Sequence, residues 1–160
     1  MNILALDLAT TTGWALREGD RVESGVQVFD VKRGESPGMR YIRFRRWLAE
    51  IGTRAELIVY EQTVPTTTKF AGASTRELAS GLATRVQEYC AERGIEHTAV
   101  YPSTLKKFTT GKGNAKKPDV LAAVCRRWKA VTDDNEADAV ALLHYALEEL
   151  VPGRVGQMVR

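Results

Sequence analysis

Asn2 to Ala9 reads NILALDLA, an apolar run broken by a single acid, Asp7. A short apolar run bounded by polar turn residues marks a buried central strand, and the turn follows at once as Thr10-Thr11-Thr12-Gly13. Working outward, Trp14-Ala15-Leu16 and Val22 to Phe29 read as two more strands, with Glu18-Gly19-Asp20 as the hairpin turn between them. The opening thus predicts a three-stranded antiparallel meander. After Pro37 the period changes: Tyr41, Phe44, Leu48 and Ile51 recur at helical spacing, with Arg40, Arg43 and Arg46 on another face. Leu57 to Tyr60 is a second buried strand ending on Glu61, and a polar loop, Gln62 to Lys69, follows it. A long helix is expected from about Ser74 to Arg93, its buried stripe marked by Leu78, Leu82, Val86 and Tyr89 and its stop by Gly94. His97 to Tyr101 reads as a strand, Pro102 starts a short helical turn, and Thr109 to Asn114 is a loop. Helices then run from Pro118 to Lys129 and from Asp134 to Leu150, where Pro152 and Gly153 end them. The expectation is one α/β domain over 1–150. Its mixed five-stranded sheet has three antiparallel strands then parallel ones, flanked by helices, and a loose tail covers 151–160.

Composition bounds the function. The 160 residues are 44% hydrophobic and 27% charged, ordinary for a globular chain and enough for a single core. No apolar run approaches the ~20 residues of a membrane span, and the N-terminus lacks the basic-then-apolar order of a secretion signal. Cys90 and Cys125 have no CxxC spacing, against both a disulfide framework and a zinc knuckle. A cytoplasmic protein with no membrane partner is expected. Net charge is only +3, so the placement of the 23 basic residues matters more than their sum.

The informative residues are acids where acids are costly. Asp7 interrupts one apolar strand, Glu61 ends another, and Asp138 lies in an Ala-rich helix between Ala137 and Ala139. A buried lone carboxylate is expensive unless paired, hydrogen-bonded or metal-bound. The plainer reading is that Glu61 and Asp138 mark element ends while the Thr10 to Thr12 turn satisfies Asp7; three acids on three core elements weigh against it. Oxygen-only ligands suit Mg²⁺ or Mn²⁺ rather than zinc. Two such ions about 3.5–4 Å apart would align a water and a leaving oxygen for in-line phosphodiester hydrolysis. Asp134 lies one turn before Asp138 and can face the same site, and Asn135, three residues before, offers a neutral oxygen. Asp133 and Glu136 fall elsewhere on the helix and read as N-terminal charges and solvated surface.

Lys106, Lys107, Lys112, Lys116 and Lys117 cluster with no acid between the first and last, and Gly111 and Gly113 let this loop's backbone approach a phosphate closely. Beside a carboxylate metal site the cluster reads as a DNA-binding patch that positions the backbone to be cut. Arg40, Arg43, Arg45 and Arg46 form a second basic group, open between a DNA contact and a solvated surface. Phe70, next to Lys69, could stack on an unpaired base or pack in the core. His97 and His144 have no partner at metal-ligand spacing.

These residues resemble the RuvC-type Holliday junction resolvases of the ribonuclease H-like superfamily, especially their short phage-encoded relatives. The markers are Asp7 in ILALDLATTTGWAL, Glu61 in IVYEQ, the stretch PSTLKKFTTGKGNAKK, and Asp138 in DDNEADAVALL, in that order over nearly the whole chain. The resemblance implies a ribonuclease H-like fold and a Mg²⁺-dependent hydrolase, a crossover junction endodeoxyribonuclease of DNA recombination and repair. Such a protein works as a homodimer in bacterial or phage-infected host cytoplasm and nicks two opposed strands of a four-way junction. It implies metal-ligand roles for Asp7, Glu61 and Asp138, and places Lys106 and Lys117 near the scissile phosphate. The departure is the fourth acid, which in better-known bacterial members falls where this chain has Asn135. Either Asp134 substitutes or Asn135 binds as a neutral ligand; Asp134 is favoured, because a second anion helps hold a second ion.

Three other readings stand beside this one. A nuclease of the same fold could cut flaps, forks or RNA–DNA hybrids instead. The run DLATTTG, Asp7 to Gly13, is also similar to the phosphate loop of actin-like ATPases and sugar kinases. Those proteins close two lobes over a nucleotide, and this length supplies one. A binding module with the fold but no activity would gain little from buried acids.

Overall fold

The computed structural model describes residues 1–64 and 73–152. Five strands form one sheet: β1 (Ile3–Asp7), β2 (Thr11–Glu18), β3 (Arg21–Val28), β4 (Leu57–Glu61) and β5 (Glu96–Val100). The sheet order is β3-β2-β1-β4-β5, with β1, β2 and β3 antiparallel and β1, β4 and β5 parallel. The helices are α1 (Met39–Ile51), α2 (Ala73–Arg93), α3 (Pro102–Thr110), α4 (Lys117–Arg127) and α5 (Asp134–Tyr145). The expected mixed α/β architecture is thus what the chain adopts. Three elements differ from expectation. Thr11, Thr12 and Gly13, expected as turn, are the first residues of β2. Pro102 opens a full nine-residue helix, closed by Gly111 at φ 84°, which only glycine adopts without strain. The last long helix passes into a π-helical turn, Ala146–Leu150, instead of staying α-helical. Among the described residues no helix is long and apolar enough to cross a membrane.

Side chains alternate across a strand, so the apolar strands feed two cores. Leu4, Leu6 and Leu8 of the first strand region join Ile58 and Tyr60 against Phe44 and Leu48 of α1 and Leu82 and Val86 of α2. Ile3, Ala5, Leu57 and Val59 face the other way, onto Val120 and Val124 of α4 and Val140 and Leu143 of α5. Asp7 continues the Ile3-Ala5 parity and Glu61 the Leu57-Val59 parity. Both acids therefore sit on the α5 side, at the carboxyl ends of adjacent parallel strands, where open α/β sheets place their sites.

Helix α5 comes unusually close to the sheet. Gly13, paired with Asp7 across β1 and β2, has the Asn135 carbonyl against it: a β-carbon there would lie 1.8 Å from that oxygen. Asp133 fixes where the helix begins, its carboxylate accepting from the backbone N–H groups of Asn135 (2.8 Å) and Glu136 (3.1 Å). Gly13→Ala is accordingly expected to push α5 off the sheet and destabilise the fold by about 1–3 kcal/mol, the usual scale of overpacking. Urea unfolding checks this, and an unchanged midpoint would mean that the helix yields without cost.

Candidate active site

Asp7, Glu61 and Asp138 line one cavity of about 270 Å³, together with Lys106, Lys117 and Asn135. Residues from β1, β4, α3, α4 and α5 thus meet at one point. Burial pushes the Asp7 carboxyl well above its ordinary range, and the nearby charges of Asp138 and Glu61 push it further. Burial first and then Asp138 raise Glu61 to about 7. Asp138 is raised to about 6 by burial and, in part, by Asp134. Lys117 pulls all three back down, and Lys106 does so for Glu61 and Asp138. Thr12 is buried but donates to the Ala9 carbonyl at 2.7 Å, so its hydroxyl does not serve Asp7.

Among the described residues no three Asp, Glu, His or Cys side chains close into a ready-made metal cage. The donor set still fits a hard divalent cation: oxygen ligands only, held by rigid elements, with negative charge that burial leaves poorly compensated. Of the two candidates for a fourth ligand, Asn135 lines the cavity, while Asp134 acts on Asp138 through its charge.

The lysine cluster divides. Lys106, on α3, and Lys117, the first residue of α4, reach the carboxylate cavity. Lys112 lines a separate cavity with Arg126, while Lys107 and Lys116 are exposed away from both. The start of the connection between α3 and α4 is tied to the helix end, since the Thr110 hydroxyl accepts from the Lys112 N–H (3.1 Å). A larger cavity of about 450 Å³ shares Asp7, Leu8, Glu61 and Thr75 with the first and continues past Val64 and Pro102.

RuvC from Thermus thermophilus superposes on the chain with a TM-score of 0.70 at 20% identity, covering 98% of this chain and 97% of its own. The chain has the RuvC fold. T. thermophilus RuvC in complex with Holliday junction substrate superposes at 0.71 with 20% identity, over 98% of this chain and 96% of that one. The yeast mitochondrial Holliday junction resolvase Ydc2 matches at 0.54 with 13% identity, over 88% and 76%. No family model and no curated protein sequence matches the chain.

On this fold the Arg40 to Arg46 group lies on α1, across the sheet from the carboxylates, and most of it is engaged within the chain. Arg40 donates to the Phe29 carbonyl at 2.7 Å, Arg43 grips the Glu35 carboxylate with both nitrogens, and Arg45 pairs with Glu88 and Glu92. His97 stacks on Tyr60 and His144 on Trp128. Phe70 and Lys69 lie outside the described residues. Glu136 corrects the sequence reading. It is no solvated charge, because its carboxylate accepts from the Ser24 hydroxyl of β3 at 2.6 Å and pairs with Lys129 at 3.4 Å. Residues 112 positions apart leave no local signal for such a contact.

The raised carboxyls carry a sign. Each acid holds its proton more tightly in the folded chain than in the unfolded one, where the ordinary values are 3.8 and 4.5. From about pH 4 to about pH 7 the folded state therefore carries extra protons, and stability falls as pH rises. Metal-free protein is expected to melt higher at pH 5 than at pH 8. At pH 8, Asp7→Asn should recover roughly 2–4 °C for each kcal/mol of repulsion removed. A calorimetric pH series checks both; a flat profile would show that the acids are not held against their charge.

Proposed function

We propose that the chain is a divalent-metal-dependent endonuclease that resolves four-way (Holliday) DNA junctions by paired nicks, acting as a homodimer, with one nuclease domain over 1–150. The observation that carries this reading is the convergence of Asp7, Glu61 and Asp138 with Lys106 and Lys117 in one cavity. Its support from outside is a fold shared with a RuvC whose structure includes Holliday junction substrate.

Asp7, Glu61 and Asp138, with Asp134 or Asn135 as the fourth group, would hold two Mg²⁺ ions, Mn²⁺ being able to substitute. When bound, such ions activate water at neutral pH and offset the charge that develops on the phosphate oxygens. The chain's part is to hold the substrate in line for that chemistry. Lys106 and Lys117, which share the cavity with the acids, bind the phosphate and oppose the negative charge of the transition state. Lys107, Lys112 and Lys116 extend the basic surface away from the cavity and supply affinity along the backbone. Water attacks phosphorus as the bond to the 3′ oxygen breaks, leaving a 5′-phosphate and a 3′-hydroxyl. The carboxylates turn from a liability into ligands once cations enter, because the repulsion among them becomes attraction to the shared charge.

The decisive assay is cleavage of a labelled, immobile four-way junction beside linear duplex, a replication fork and an RNA–DNA hybrid, with Mg²⁺, with Mn²⁺ and with chelator. Symmetric paired nicks on the junction alone, abolished by chelator, are expected. Equal cutting of forks or hybrids would make the protein a general branched-DNA or hybrid nuclease, and no cutting at all would remove the nuclease reading. Asp7→Asn should abolish cleavage while junction binding persists, since affinity rests on the lysines. Lys117→Ala should weaken binding and reduce the salt slope by about one phosphate contact; an unchanged slope would mean that Lys117 meets no phosphate.

A further inference from the structure

From Lys106 to Arg127 the chain carries five lysines and two arginines against a single acid, Asp119. The carboxylate cavity takes up Lys106 and Lys117. Arg127 spends its guanidinium on the Phe108 and Thr109 carbonyls, at 2.7 and 3.0 Å, and lies over the Trp128 ring. Its neighbour Arg126 is different. Among the described residues the Arg126 guanidinium has no hydrogen bond and no ion pair.

Arg126 lines a cavity of about 290 Å³ with Lys112, Thr110 and Ala115. The Lys112 ammonium is likewise unpaired among the described residues. Its backbone is fixed on both sides: the N–H donates to the Thr110 hydroxyl at 3.1 Å, and the carbonyl accepts from the Ala115 N–H at 3.1 Å. One acid shares the cavity, Asp119, whose carboxylate accepts from the Lys116 backbone N–H at 3.4 Å at the start of α4. Two unpaired cations thus meet one carboxylate that already serves as a helix cap.

Helix α4 stands between this cavity and the acids. Lys117 and Arg126 are nine residues apart, about two and a half turns, so they leave opposite sides of the helix about 13.5 Å apart along its axis. Between them the exposed ridge is Pro118, Ala122 and Cys125, which are uncharged and short. A nucleic-acid backbone can therefore lie across α4 and meet a cation on either side.

We propose that Lys112 and Arg126 form a second phosphate-binding site, which holds the DNA backbone at a phosphate other than the one to be cut. This rests on the nuclease reading above and adds to it Arg126, a residue that no sequence motif singled out. The planar guanidinium can take two oxygens of one phosphate while the lysine adds a point charge. Such a site carries affinity and fixes the path of the strand, and it takes no part in the chemistry.

Junction binding over a salt series, in an Asp7→Asn background, tests it. Arg126→Gln is expected to weaken binding about tenfold, the scale of one charge-assisted hydrogen bond. The salt slope should fall by about one, and Arg126→Lys should keep the parental slope. Adding Lys112→Ala to Arg126→Gln should cost less than the two separate losses combined, because both side chains serve one phosphate. Junctions carrying a neutral methylphosphonate at one position at a time locate that phosphate. Neutralising it should weaken the parent but leave Arg126→Gln unaffected, and it should not be the cleaved phosphate. Parental affinity and slope for Arg126→Gln would overturn the site while leaving the nuclease reading intact. So would fully additive losses, or a methylphosphonate profile identical in parent and variant. If the parent binds no DNA at all, the site and the nuclease reading fall together.

Discussion

The backbone carbonyl of Asn135 occupies the space that a side chain at position 13 would need, and the geometry of the site follows from that contact. Because residue 13 is glycine, α5 settles onto the sheet at the point where β2 pairs with the end of β1. That brings Asp138 into the cavity that Asp7 and Glu61 already line. The acids do not attract one another; they are held together by the packing of apolar neighbours such as Ala137, Ala139 and Val140, all buried. Ser24, Glu136 and Lys129 tie the same first turn of α5 to the edge strand, so the helix is located from two sides. The fold spends part of its stability on keeping like charges close, as sites that hold a charged ligand commonly do.

Much of this was legible in the chain. The period-2 and helical patterns place every strand and helix near its observed position, because each apolar run serves a single buried face. The acids stood out because burial makes a carboxylate conspicuous within an apolar run. What escaped the sequence was long-range. Nothing local tells that Glu136 reaches a serine on β3. The length of α3 was underestimated because Thr109 and Thr110 look like turn residues. Their hydroxyls in fact bond back to the carbonyls of Leu105 and Lys106, one turn earlier in the helix.

Charge is sorted by the sheet. Basic residues are plentiful on both sides, but Arg40, Arg43 and Arg45 of α1 meet partners inside the chain, while Lys106 and Lys117 share a cavity with the acids. Similar side chains thus serve two purposes, distinguished by what lies opposite. The arginines of α1 join segments that strand pairing does not connect, such as Arg43 with the Glu35 loop and Arg45 with α2. Lys106 of α3 and Lys117 of α4 instead share a cavity with the acids and offset part of their charge.

The three acids are drawn from residues 7, 61 and 138, and the last arrives on the helix that completes the second core. A ribosome releases β1 and β4 long before α5, so a growing chain carries isolated carboxylates on an unfinished sheet. The proposed cutting activity is thereby withheld until the helix docks, and a chain interrupted before that point is harmless to the DNA around it.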